Sequence, residues 1–415
     1  MRGHEEASGT KYVPQQLMDK WAAKDPILNF EAFLLEKKVL TKKLIETIKA
    51  SITEEIETNL AIAFKKSEIS STISGELNDV YKSFDFKEVT PSNDTRKIRF
   101  IDALSEGLKQ SMQLYKDLII MGQDIAEYGG VFKITEGFTK EFGRSRVRNT
   151  PICESAIISA AMGLSINGMK AVVEMQFADF VSSGFNPIVN YLAKIHYRWG
   201  QNADVVVRMP CGGGVGAGPF HSQTNEAWFT KTPGLKVVYP AFPADAKGLL
   251  NTAINDPNPV LFFEHKGLYR SIYGNVPKDY YTLPLGKASI LQTGNTVSIV
   301  SYGAGVHWAL EVLEKHSDID AELIDLRTLQ PLDTEAIYAS VQKTNRLLIL
   351  QEDSLFGGLA SDISAMVMEN CFEYLDAPVK RVASIETPIP FATNLEADYL
   401  PKKRFEKALL ELLDY

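Results

Sequence analysis

The chain has 415 residues, 45% hydrophobic and 23% charged, with a formal net charge of −8 from 44 Lys+Arg against 52 Asp+Glu. This ordinary composition predicts two or three globular domains with cores that need no staples. The acidic balance without a basic block excludes nucleic-acid binding as the main task, and no apolar run nears the roughly 18 residues that span a bilayer.

In chain order, Trp21 to Leu34 carries Asp25-Pro26 among apolar residues and reads as a loop entering a helix. Thr41 is a candidate cap. Ile45, Ile48, Ile52, Ile56, Leu60 and Phe64 then recur at three- and four-residue spacing and predict one helix of about six turns with a single apolar stripe. The sequence from 66 to 96 is polar and aperiodic. We assign residues 1–70 to a helical segment and 71–96 to a linker.

From residue 97 the pattern becomes α/β. A helix over 99–118 leads into the apolar Leu118-Ile-Ile-Met-Gly. Ala171-Val-Val-Glu-Met reads as a strand, followed by a long helix through Tyr191 and Trp199. Asp204 to Met209, Leu235 to Tyr239 and Pro259 to Glu264 read as further strands, with a helix starting at Pro243. Strands separated by helices predict a parallel or mixed sheet covered by helices over 97–275. After the proline-containing stretch from Val276 to Leu285, a second such unit over 285–415 contains Thr296 to Val300, Ala321 to Asp325, Arg346 to Leu350 and Val379 to Val382.

Three features point to chemistry. The glycine run from Cys211 to Gly218 follows a strand. It nominally fits a dinucleotide fingerprint over Gly212 to Ala217, but Gly218-Pro219 stands where the helix should begin, and it lacks the Lys of a phosphate loop. It reads either as a backbone that approaches a ligand closely or as a plain mobile loop. His221 follows it, between glycines and a polar run; it is either a proton-transfer group or a histidine bonded into a turn. Glu154 follows Thr150-Pro-Ile-Cys and opens a helix of small residues, where a carboxylate suits the helix dipole whether or not it reacts. Cys153, Cys211 and Cys371 form no zinc or nucleophile pattern and fit a reducing compartment. The opening residues read as neither a signal nor a transit peptide, which gives a cytoplasmic expectation.

Taken together, Asp124-Ile-Ala-Glu-Tyr-Gly-Gly, Thr150-Pro-Ile-Cys-Glu, Phe220-His-Ser-Gln, Pro233-Gly-Leu-Lys-Val-Val and Asp325-Leu-Arg-Thr-Leu-Gln-Pro-Leu-Asp resemble the beta subunit of thiamine-diphosphate-dependent 2-oxo acid dehydrogenases. The resemblance implies a transketolase-like pyrimidine-binding domain followed by a transketolase C-terminal domain. It implies oxidative decarboxylation of a 2-oxo acid, with acyl transfer to the lipoyl arm of an acyltransferase core. Glu154 falls on the glutamate that bonds the aminopyrimidine, Phe180 on the aromatic residue stacked on that ring, and Gln176 on a ring-lining position, where glutamine resembles the branched-chain members. His221 matches the histidine near the thiazolium and substrate. Ala253, Asp256 and Asn258 match a loop that holds potassium. Arg2-Gly3-His4 and Trp21-Ala-Ala-Lys-Asp-Pro-Ile resemble the tail of the alpha subunit, with His4 on a cofactor-binding position, so the chain looks like the later part of a fused alpha-beta polypeptide.

The sequence departs from that pattern in two places. No Gly-Asp-Gly metal motif occurs, so magnesium ligands are expected from an alpha portion in a heterotetramer-like assembly. Gln351-Glu352-Asp353 stands where many members have His-Glu-Ala. The competing readings are a pyruvate or acetoin enzyme, transketolase-type ketol transfer, and a scaffold that has lost its site.

Overall fold

Side-chain caps open two of the three helices described before Ile73, in a unit of their own; the computed structural model describes residues 7 and 9–415. Asp25 accepts from the N–H groups of Ile27 and Leu28, with Pro26 opening the helix Pro26–Glu36. Thr41 Oγ1 accepts from Leu44 N at 3.2 Å and opens the helix Lys42–Phe64, as its periodicity predicts. Ile48, Ile52, Ile56 and Leu60 of its stripe are each about half exposed. Among the described residues no helix is long and apolar enough to cross a membrane.

The second unit starts at Ile73, and from there the linker expected over 71–96 needs correction. A short helix, Ile73–Asn78, is followed by residues tied to the body. Tyr81 donates to Leu235 O at 2.9 Å, Lys82 N to Asn258 Oδ1 at 2.8 Å, and Val89 N to Thr282 Oγ1 at 2.8 Å. Each of these anchors pairs a main-chain group with a polar side chain, which leaves no apolar periodicity.

The strands of this unit are β1 (Thr95–Arg99), β2 (Ile119–Gly122), β3 (Val147–Asn149), β4 (Ala171–Glu174), β5 (Val205–Cys211), β6 (Lys236–Val238) and β7 (Val260–His265). They continue with β8 (Tyr273–Pro277), β9 (Ser289–Gln292), β10 (Val297–Ser301), β11 (Ala321–Asp325), β12 (Thr328–Gln330), β13 (Leu347–Ser354) and β14 (Lys380–Ser384). A seven-stranded sheet runs β12-β6-β7-β5-β4-β2-β3, parallel except for β12. A five-stranded sheet runs β14-β13-β10-β11-β9, parallel except for β9. β1 and β8 pair separately. The central strands β2, β4, β5 and β7 are buried along their whole length, as expected where helices cover both faces. β12 lies beyond the second sheet's β11 in sequence yet pairs with β6, so the later half completes the edge of the first sheet.

The long helix expected after β4 is broken. Residues Ala178–Gly184 form a 3-10 turn, Pro187–Leu192 a π segment and Ile195–Trp199 a short helix. Close packing explains the first break. A Cβ at Gly184 would stand 2.4 Å from Ile158 Cδ1, so this turn is pressed against the Glu154–Ile166 helix.

Three strands of the first sheet are tied by one buried cation. Arg208 of β5 is fully buried; its Nη1 donates to Glu174 of β4 at 2.6 Å, and its Nε and Nη2 to Glu264 of β7 at 2.7 Å each. Tyr269 adds an O–H to Glu264 at 2.7 Å. Burial raises the Glu174 pKa; Arg208 opposes that rise and Glu264 adds to it. Removing the guanidinium therefore leaves two uncompensated buried carboxylates, a loss of about 3–5 kcal/mol. We expect Arg208→Met to lower the urea midpoint strongly at pH 8 and less at pH 5, where the orphaned carboxyls can hold protons. An equal loss at both pH values would contradict this account.

Candidate active site

Four residues picked from the sequence, Glu154, Gln176, Phe180 and His221, lie on segments that follow strands of the seven-stranded sheet. Glu154 is the first residue of its helix and is 8% exposed. Its Oε1 accepts from Gln123 Nε2 at 3.0 Å, just beyond β2, and its Oε2 from Ser183 Oγ at 3.1 Å. Among the described residues no Lys or Arg pairs with it. A carboxylate held by neutral donors at a helix N-terminus is free to share a proton with a ring nitrogen.

Phe180 lies three residues before Ser183, on the turn packed against that helix. Its ring meets His221 edge-on at 5.5 Å, and Phe177 meets His221 at 4.8 Å. Gln176, between β4 and this turn, donates to Asp124 Oδ2 at 3.2 Å. Asp124 opens the Asp-Ile-Ala-Glu-Tyr-Gly-Gly motif and has a positive φ of 59°. Four loops after strand ends thus bring a carboxylate, an aromatic face, an amide and an imidazole into one neighbourhood, the usual placement for sites in open α/β sheets. His4, the remaining cofactor-binding expectation, lies outside the described residues.

Comparison with known proteins identifies the two halves of this unit. Residues 96–271 match the family "Transketolase, pyrimidine binding domain" and residues 286–404 match "Transketolase, C-terminal domain". The "2-oxoisovalerate dehydrogenase subunit beta" of Bacillus subtilis is 42% identical over 322 residues, covering 76% of this chain and 98% of that protein. The chain belongs to the beta-subunit family of 2-oxo acid dehydrogenases. The "Acetoin:2,6-dichlorophenolindophenol oxidoreductase subunit beta" of Bacillus subtilis is also 42% identical, over 77% of this chain and 98% of that protein. The "Pyruvate dehydrogenase E1 component subunit beta" of Staphylococcus aureus is 40% identical over 75% and 98%. Among solved structures, "Split gene transketolase, inactive beta4 tetramer" shares the fold, with a TM-score of 0.63 and 21% identity over 76% of this chain and 98% of that one. Membership makes this a component of a thiamine-diphosphate-dependent enzyme that has an alpha partner.

The structure adds residues that the sequence reading missed. Asp179 Oδ1 accepts from Gln223 N at 3.2 Å, and Asn225 Nδ2 donates to Ala178 O at 2.9 Å, tying the Phe180 turn to the end of the His221 loop. Burial raises the Asp179 carboxyl, while the Gln223 N–H pulls it back. Phe177 makes the closest ring contact to His221. Both residues closely precede Phe180 in Glu174-Met-Gln-Phe-Ala-Asp-Phe, so the four-residue run Phe-Ala-Asp-Phe after a buried strand was the available signal.

Ala253, Asp256 and Asn258 are brought together at the end of the helix Pro243–Asn255, but their side chains do not form a cation cage. Asp256 accepts from Lys236 Nζ at 2.5 Å and from Asn258 N and Nδ2 at 2.9 Å each; Asn258 is further bonded to the Lys82 main chain. Main-chain oxygens remain, and Pro257 has no N–H to offer Ala253 O. Among the described residues no group of three or more His, Cys, Asp or Glu is placed to hold a metal ion.

An acidic cluster lies beneath the site, where the two halves meet. Tyr302 donates to Glu226 Oε1 at 2.7 Å, and His265 Nε2 lies 2.7 Å from Glu352 Oε2. Burial pushes Glu226 well above the usual carboxylate range, and the Asp353 charge adds to this. Burial also pushes Asp353 up to about 6, against the pull of the Ser354 N–H and with the charge of Glu352. For Glu352, burial is outweighed by His265, the Gly213 N–H and Lys266, so its pKa is lowered. Because Asp353 is raised from 3.8 in the unfolded chain to about 6, the folded state loses stability as pH rises between those values. Asp353→Asn keeps the oxygen that accepts from Ser354 N. We expect it to raise the melting temperature by a few degrees at pH 8 and hardly at pH 4; a rise of the same size at both would refute a charge effect.

Proposed function

We propose that this chain forms the pyrimidine-binding half of the thiamine-diphosphate site in the decarboxylating component of a branched-chain 2-oxo acid dehydrogenase complex. The observation that carries this reading is Glu154: a buried carboxylate at a helix N-terminus, bonded among the described residues to Gln123 and Ser183, beside a turn that presents Phe180. That set fits the pyrimidine end of the cofactor, which when bound supplies the carbon nucleophile and electron sink for decarboxylation. Glu154 holds a proton at the pyrimidine ring nitrogen. Phe180 stacks on the ring, and Gln176, oriented by Asp124, lines it. His221, braced by Phe177 and Phe180, meets the substrate side, orients the lipoyl acceptor and moves a proton during acyl transfer.

The chain acts with an alpha portion that brings the diphosphate and magnesium ligands, in a dimer of alpha-beta pairs that serves a lipoyl-bearing acyltransferase. We assign residues 1–70, with His4, to the alpha-like tail, and the half-exposed stripe of the Lys42–Phe64 helix to contact with the alpha portion. A potassium ion at the Ala253 end of its helix is held, on this reading, by main-chain oxygens. The branched-chain assignment rests on Gln176 and on relatives from Bacillus subtilis and Dictyostelium discoideum named for 2-oxoisovalerate. The similar identity of the acetoin and pyruvate relatives favours those substrates as the second reading.

Reconstituted with an alpha portion, the chain is expected to turn over 2-oxoisovalerate and 2-oxoisocaproate faster than pyruvate or acetoin; faster turnover of pyruvate or acetoin would overturn the branched-chain assignment. Glu154→Gln should reduce decarboxylation by about 100-fold or more while the chain still assembles with its partner. Unchanged decarboxylation would rule out the role given to Glu154. Potassium should raise the melting temperature above that in sodium at equal ionic strength, and equal values would remove the potassium site.

A further inference from the structure

The glycine run ahead of His221 is a set of anion-binding concavities already filled by the chain's own carboxylates. Gly212, Gly214, Gly216 and Gly218 all have positive φ, between 70° and 90°. The intervening residues do not, so the backbone alternates in handedness and its N–H groups converge, the geometry that elsewhere cradles phosphates. Here Gly213 N donates to Glu352 Oε1 at 2.6 Å, Gly214 N to Glu396 Oε1 at 2.8 Å and Gly216 N to Glu396 Oε2 at 2.9 Å. Glu352 lies on β13 of the second sheet, two residues before its end, and Glu396 lies on the helix Thr393–Tyr399. Both acceptors therefore come from the later half, about 140 to 180 residues downstream.

Outside this grip the loop is held toward its two ends: Lys266 Nζ donates to Gly212 O at 2.7 Å, Gln223 Nε2 donates to Pro219 O at 3.0 Å, and Gly218 packs against the Phe391 ring. Gly212 N bonds Gln223 O at 3.3 Å and closes its base, and Asp179 holds Gln223 from the far side. Behind Gly213 to Gly216 lies a cavity of about 700 Å³, lined in part by His265, Trp308 and Glu396, with Leu400 and Thr393 beside the glycines. The position of His221 then depends on the hydrogen bonds along the loop together with its ring contacts to Phe177 and Phe180.

We infer that Glu396 is a positioning residue: by gripping Gly214 and Gly216 it sets the loop that carries His221, and so couples the C-terminal half to acyl transfer. This rests on the role proposed above for His221, whereas the grip itself does not. The test uses Glu396→Gln, Glu396→Ala and Glu396→Asp in the full chain. Glutamine is isosteric but turns a donor toward one of the two N–H groups, alanine removes both bonds, and aspartate keeps the charge on a shorter stem.

Amide exchange over residues 213–222 should accelerate about tenfold or more in the Gln and Ala variants and less in Asp, while exchange around Glu154 stays as in the wild type. In the reconstituted enzyme, acylation of a lipoyl domain should fall about tenfold, more than decarboxylation read with an artificial electron acceptor, and the Asp variant should recover part of it. Unchanged exchange over 213–222 overturns the grip. Faster exchange with unchanged acylation overturns the coupling. If His221→Ala itself leaves acylation intact, the role of His221 is wrong, and the exchange data still decide whether Glu396 holds the loop.

Discussion

One buried guanidinium organises this molecule. From the middle of β5, Arg208 grips β4 and β7 at or next to their last residues, and each of these strands leads into part of the site: Gln176 to Phe180 after β4, the glycine run after β5, and His265 with Lys266 at β7. Desolvating three charged groups is expensive, and this triad keeps a net negative charge. The bidentate fork to Glu264 and the single bond to Glu174 compensate by fixing the lateral positions of three neighbouring strands. Small errors in those positions would be magnified in the loops beyond, where the contacts of Phe180 and His221 span only a few ångströms.

A second principle is reach from the later half into the earlier one. Tyr302 meets Glu226, Glu352 meets His265 and Gly213, Glu396 meets Gly214 and Gly216, and Arg327 meets Asp245 at 3.2 Å. Most of these contacts use carboxylates, so the boundary between halves is electrostatically loaded. Burial lifts Glu226 and Asp353 toward neutrality, while His265 and Lys266 keep Glu352 charged. Each carboxyl group thus settles its protonation by what surrounds it, which lets several acids share a small buried volume.

Much of this was legible in the sequence because burial writes strongly on composition. The fully buried central strands read as short apolar runs interrupted only by Glu174, Arg208, Glu264 and His265, Thr41 and Pro243 marked helix starts, and the family resemblance pointed to Glu154, Phe180 and His221 as parts of one site. What escaped was controlled by partners distant in sequence. The break at Gly184 is set by Ile158, β12 is too short to show a period, and the segment after Ile73 is anchored by bonds between main-chain groups and polar side chains. The glycine run shows the limit most clearly. Its capacity for close backbone approach was visible, but the groups that approach it are Glu352 and Glu396, whose spacing from the loop no motif records. The histidine expected beside Glu352 is also absent from position 351, yet His265 reaches the same carboxylate from β7.

β12 gives the two halves an unequal dependence. The second sheet has its own five strands, but the first owes its outer strand to residues 328–330, which cover β6. Cut at residue 285, the earlier half would present β6 as a bare edge, open to pairing with any extended chain. Gene fission, domain exchange or circular permutation in this architecture therefore has to move the segment around Thr328 with the half it caps, even though sequence order assigns it to the other.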